Sequence, residues 1–218
     1  MMKFCTQEWR RILLLVIAAL WIGIFPIWRD WVTADPLDIP ISLMPAEKIE
    51  KSITLVLPEC YELRLEFDRS LPFKQIETLL GSMRHARKGE KLPRGVHVPI
   101  HWTLSTAEKG EVVTSGEVDS VGTSAWSIDK VYCRLGYVKA PPGKYIFRAE
   151  VIHSVPELAH IRTRIGIYLN AKSSCTWQTG LAWEGSFGIY FVAWPIAIYA
   201  AFRLLLAGLI LWSSKSTA

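Results

Sequence analysis

SFGIYFVAWPIAIYAAFRLLLAGLILW, residues 186–212, carries a single charge, Arg203, in 27 residues. At about 1.5 Å of rise per residue it makes a helix of roughly 40 Å, against a bilayer hydrocarbon core of about 30 Å. Buried helices of soluble proteins seldom run so far without polar relief, so the stretch reads as a transmembrane helix. The rest of the chain is bounded by that reading. With 218 residues, half of them hydrophobic, there is room for one modest folded domain besides the membrane segments.

A second apolar run, residues 12–28, is uncharged and follows a short basic leader, residues 1–11. Such a segment is either a secretory signal or a membrane anchor. Val32-Thr33-Ala34 would suit signal peptidase, but the intervening Trp28-Arg29-Asp30-Trp31 is bulky and resembles an interfacial anchor, which favours an uncleaved helix. Arg10 and Arg11 before the first span and Lys215 in the tail, residues 213–218, place both termini in the cytoplasm by the positive-inside tendency. The middle of the chain then faces outward. Arg203 is expected to snorkel to the inner headgroups, since residues 12–28 offer it no acidic partner.

The formal charge of +5 excludes less than its distribution does. Between Arg29 and Glu184 there are 20 Lys/Arg and 19 Asp/Glu, a net of +1; the remaining +4 flanks the apolar runs. The basic balance is a topology signal, and no nucleic-acid partner is indicated.

Residues 29–51 hold the Pro-rich DPLDIPISLMP and read as an extended tether. A domain over residues 52–172 follows. Residues 53–57 form a short apolar strand. Residues 61–67 alternate, with Tyr61, Leu63, Leu65 and Phe67 inward and Glu62, Arg64 and Glu66 outward. Residues 73–83 shift to helical spacing. Strand alternation returns at 96–105, where Pro99 marks an edge strand or a bulge, then at 112–118, 126–138, 145–151 and 161–169. A connector, residues 173–185, leads to the second span. The fold class is therefore mainly β, an immunoglobulin-like antiparallel β-sandwich with one inserted helix, flanked by two transmembrane helices.

The order of Tyr61-Glu62-Leu63-Arg64-Leu65-Glu66-Phe67, Val98-Pro99-Ile100-His101-Trp102, Pro142-Gly143-Lys144-Tyr145 and Val155-Pro156-Glu157-Leu158 resembles bacterial membrane-associated envelope proteins grouped as a β-sandwich domain of unknown function. The resemblance covers about residues 52–172. It implies a bacterial inner-membrane setting with a periplasmic central domain, and it carries over no catalytic residues. Two-span anchoring departs from family members that are secreted or lipid-anchored.

Chemistry is sparse. Of the cysteines expected outside, Cys60, Cys133 and Cys175, one pair can form a disulfide, and all three pairings are open. His97 and His101 would share a strand face but stand ~13 Å apart, too far for one metal to bridge, and no metal or cofactor is expected. There is no Gly-x-Ser-x-Gly elbow and no phosphate-binding glycine loop.

The most distinctive polar feature is the basic loop, residues 84–95, with Arg84, Arg87, Lys88, Lys91 and Arg94 as candidate partner-binding residues. The reading is a non-enzymatic, membrane-anchored periplasmic interaction protein, in its sharpest form an immunity-type inhibitor of an envelope-targeted toxin. It would meet the bilayer and a protein partner, and an exposed strand at 96–105 could add a partner strand. The alternative is a membrane-bound envelope enzyme or assembly factor.

Overall fold

In the computed structural model, which describes residues 2–82, 95–119, 122–169 and 176–216, the helices are α1 (Met2–Val32), α2 (Phe73–Leu80), α3 (Trp177–Gly188) and α4 (Trp194–Ser216). The strands are β1 (Leu37–Pro40), β2 (Lys48–Leu55), β3 (Cys60–Asp68), β4 (Pro99–Thr106), β5 (Val112–Asp119), β6 (Ala125–Trp126), β7 (Lys130–Lys139), β8 (Gly143–Val151) and β9 (Thr163–Leu169). Two units result, one of helices (Met1–Thr33 with Trp177–Ala218) and one of strands (Ala34–Thr176).

The strand unit holds two antiparallel sheets, ordered β1-β9-β3-β7-β6 and β2-β8-β4-β5. The period-2 alternation buries Tyr61, Leu63, Leu65 and Phe67 from the first sheet, each at most 1% exposed. With Leu55, Ile100, Leu104 and Phe147 from the second they belong to one core. Helix α2 adds Ile76 and Leu80 to that core and stops at Gly81, whose φ of 87° favours glycine over other residues.

Several sequence expectations change. Residues 29–51 are not a tether: α1 continues to Val32, Leu37–Pro40 pairs with β9 as an edge strand, and β2 begins at Lys48. The prolines hid an alternation of Leu37, Ile39, Ile41 and Leu43 that ends in the core; Pro40 is tolerated because it closes a four-residue edge strand. The strand expected at an edge, residues 96–105, is β4, which lies between β5 and β8. Pro99 sits at its first position, where a missing N–H costs little. Leader and tail are helical over their described residues, and the expected connector is helical from Trp177.

In the helical unit, α1 and the α3–α4 pair are long and apolar enough to cross a membrane over Trp9–Val32 and Trp177–Leu209. They run antiparallel. A methyl group placed on Gly185 would stand 2.4 Å from the Phe25 ring and one on Gly188 3.4 Å from Trp21, so these glycines admit α1's aromatic side chains. Ala18, Ala182, Ala193 and Ala200 are buried. Gly23 and Gly208, in contrast, have nothing within 4 Å. The bond from the Trp194 N–H to the Ile189 carbonyl widens one turn at Ile189–Ala193, just before Pro195, whose missing N–H cannot close a regular turn.

Candidate functional site

The outward residues of β3 are Glu62, Arg64 and Glu66, and the register decides what they meet. Arg64 stands opposite Gly166 on β9 and Arg134 on β7; Glu66 stands opposite Arg164 and Tyr132; Glu62 stands opposite Tyr168 and Tyr137. Gly166 leaves a gap that the Tyr168 ring fills: a methyl group there would lie 2.3 Å from the ring. Arg64 then stacks on Tyr168, its guanidinium carbon 3.6 Å from the ring centre, with Tyr132 at 4.5 Å. Both contacts are within cation–π range.

Beneath this stack lies the Glu66 carboxylate, 3% exposed. It accepts hydrogen bonds from Arg64 Nε and Nη2 at 3.1 and 2.9 Å and from Lys130 Nζ at 2.7 Å. Burial pushes this carboxyl up, but the bonds from Lys130 and Arg64, with the Tyr168 hydroxyl nearby, outweigh it and hold it below the usual range. The same bond raises Lys130. Burial drives the Tyr168 hydroxyl well above its ordinary value, aided by the neighbouring Glu66 and Asp38 carboxylates. Asp35 at the rim is also raised, because burial outweighs the attraction of Arg64.

The flanks repeat the arrangement. Arg164 Nε donates to Asp38 Oδ1 at 2.7 Å and Nη2 to the Asp38 carbonyl at 2.9 Å; Arg134 Nε donates to Glu62 Oε1 at 3.1 Å and lies 5.3 Å from the Tyr137 ring centre. Glu66 and Glu62 are 3% and 12% exposed, whereas Arg64, Lys130, Arg164 and Arg134 range from 24% to 45%. Glu66 and Glu62 thus lie beneath their cations, whereas Asp38, at 40% exposed, is as open as Arg164, and Tyr168 is itself buried. Among the described residues the pairs of the other sheet, Lys48–Glu150, Arg148–Glu50 and, at its edge, His97–Asp119, are open, with every partner at least 42% exposed. Such exposed pairs contribute little.

At one end the face opens into a cleft of about 510 Å³ lined by Met44, Glu47, Asp68, Leu158, Arg162 and Arg164, among others. Arg84, Arg87, Lys88, Lys91 and Arg94 lie outside the described residues. The chain on either side of them meets at the end of α2, where the Val96 N–H donates to the Leu79 carbonyl and Thr123 Oγ1 to that of Gly81. Cys60 is exposed and Cys133 buried. They are not opposite each other, since Cys60 faces Lys139 and Cys133 faces Leu65. Cys175 lies outside the described residues, but the Thr176 N–H after it donates to Glu59 Oε1 at 2.9 Å, next to Cys60.

Sequence reading placed Glu62, Arg64 and Glu66 outward on their strand but gave them no partners. The local signal was the opposite charges two apart on one strand face; their convergence with β7 and β9 needed the register.

A solved protein from Sulfurospirillum deleyianum is similar in fold, with a TM-score of 0.52 at 21% identity over 62% of this chain and 98% of that one. No curated protein sequence matches. A family profile described as a domain of unknown function, DUF5625, matches residues 38–169, well over half of the chain, and the protein belongs to that family.

Proposed function

We propose that this is a non-enzymatic interaction protein of the bacterial inner membrane, an immunoglobulin-like sandwich held on the periplasmic side by a transmembrane helix at each end. The outer face of the five-stranded sheet docks an acidic protein surface, and an immunity-type inhibitor of an envelope-targeted toxin is the form of partner-binder this describes. One observation carries the reading: Arg64 is held between Tyr132 and the buried Tyr168 ring over the buried Glu66, so its cation is held in a fixed position at the surface of the sheet. Tyr and Arg dominate the energetics of protein interfaces, and a pre-ordered arginine loses little freedom on binding. Two anchors raise the local concentration of the face for anything arriving at the membrane. By sequence, the cations Arg84, Arg87, Lys88, Lys91 and Arg94 offer a second source of attraction for an acidic partner.

The test places a photo-crosslinking residue at Tyr137 on this face, or at Ser52 on the outer side of the other sheet, in full-length protein in its native membrane. Tyr137 should give one discrete adduct, lost when Arg134→Glu or Arg164→Glu is added, and Ser52 none. Equal adducts from both positions, or one indifferent to charge reversal, would refute the docking face.

A further inference from the structure

Arg203 interrupts the apolar surface of α4, exposed beside Tyr199, Phe202 and Leu206, while its neighbour Ala200 is fully buried. Trp212 is nine residues further on, about 13 Å along the helix. That is longer than an arginine side chain, and helical side chains lean the other way, toward the helix N-terminus. Arg203 therefore marks a headgroup level of its own, short of Trp212.

Helix α1 supplies the matching level. The contacts of Phe25 with Gly185 and of Trp21 with Gly188 set the antiparallel alignment. Carried along at equal rise, it brings Arg203 within about two turns of Arg10 and Arg11. From Arg11 to Arg29 is about 27 Å of helix, and from Ser186, which accepts a hydrogen bond from Arg29, to Arg203 is about 26 Å. Both spans approach the thickness of a hydrocarbon core. The two polar levels differ in charge. At one, Arg29 is paired with Asp30 at 2.7 Å. At the other, three arginines stand with Glu8 as the one acid of the leader, so this level carries a net positive charge.

We propose that Arg10, Arg11 and Arg203 together hold the phosphate of an anionic phospholipid, whose acyl chains lie along Tyr199, Phe202 and Leu206 of α4. The site rests on the reading that the helical pair spans a bilayer, and the experiment separates the two. Full-length protein is reconstituted into phosphatidylcholine nanodiscs with a minor share of phosphatidylglycerol, released, and its retained lipids counted by native mass spectrometry. Wild-type protein should retain phosphatidylglycerol well above its share. Arg203→Gln should lower that enrichment about five-fold, the worth of one basic residue at an anionic surface. The triple change of Arg10, Arg11 and Arg203 to Gln should abolish it, and Arg29→Gln should leave it intact.

Enrichment that survives the triple change, or falls equally with Arg29→Gln, would overturn the site. Displacement of the lipid by millimolar inorganic phosphate would show that the arginines bind the free anion, against the proposal. A chain that fails to float with vesicles in a density gradient would overturn the bilayer reading itself, a result distinct from the other two.

Discussion

Arg64→Ala removes the guanidinium that joins the Tyr168 ring, the Tyr132 ring and the Glu66 carboxylate. Two hydrogen bonds to a carboxylate only 3% exposed are lost, and Lys130 alone remains to hold it. A hydrogen bond to a charged group contributes about 1.5–3 kcal/mol. Because Arg64 is 24% exposed and Lys130 keeps its bond, the pair together is placed near the lower end of that range. Lost stacking adds about 0.5–1 kcal/mol. The total is about 2 kcal/mol, a change of roughly 30-fold in the folding equilibrium. With a urea dependence of about 2 kcal/mol per molar, the midpoint of the sheet unit should fall by about 1 M. The assay is urea unfolding of the full-length protein in detergent, followed by β-sheet circular dichroism. Arg64→Lys keeps the charge but lacks the planar fork, and should recover less than half of the loss. A loss below about 0.5 kcal/mol for Arg64→Ala would mean that the network contributes no more than an open surface pair.

Gly166→Ala should cost about 1–3 kcal/mol, because its methyl group meets the Tyr168 ring at 2.3 Å; the cost should shrink in the double variant with Tyr168→Ala, measured by the same unfolding experiment. The Glu66 carboxyl is lowered in the folded protein, so its contribution is present above the unfolded value of about 4.3 and is lost as pH falls through the folded one. Glu66→Gln should therefore flatten the acid limb of the stability profile. The raised Asp35 acts in the opposite sense: its contribution is full below the unfolded pKa and lost as pH rises through the folded one, so Asp35→Asn should flatten that loss. In native, reduced protein Cys60 should react with a maleimide in minutes and Cys133 only after unfolding, read by mass spectrometry of the labelled peptides.

How far the sequence could be read depended on whether the signal was local. Tyr61, Leu63, Leu65 and Phe67 show their burial through alternation alone, and they are the centre of the core. The helix ending at Leu80 and the two apolar runs were legible for the same reason. Leu37, Ile39, Ile41 and Leu43 alternate just as well, but three prolines between Asp35 and Pro45 suggested a tether. Pro99 suggested an edge, although position within a strand and position within a sheet are separate matters. The proposed docking face was half visible. Arg64 and Glu66 were placed outward, yet nothing in the chain says that Gly166 stands opposite Arg64 or that Lys130 reaches Glu66 from β7. Those are facts of register, and register follows from the summed packing of all the strands.

The account depends on a hairpin that keeps both ends of the chain on one side of a membrane and the sheets on the other. In bacterial spheroplasts expressing otherwise cysteine-free full-length protein, a membrane-impermeant maleimide should label Ser52→Cys at once and Lys3→Cys only after detergent is added. Labelling of Lys3→Cys in intact spheroplasts with Ser52→Cys protected would contradict it.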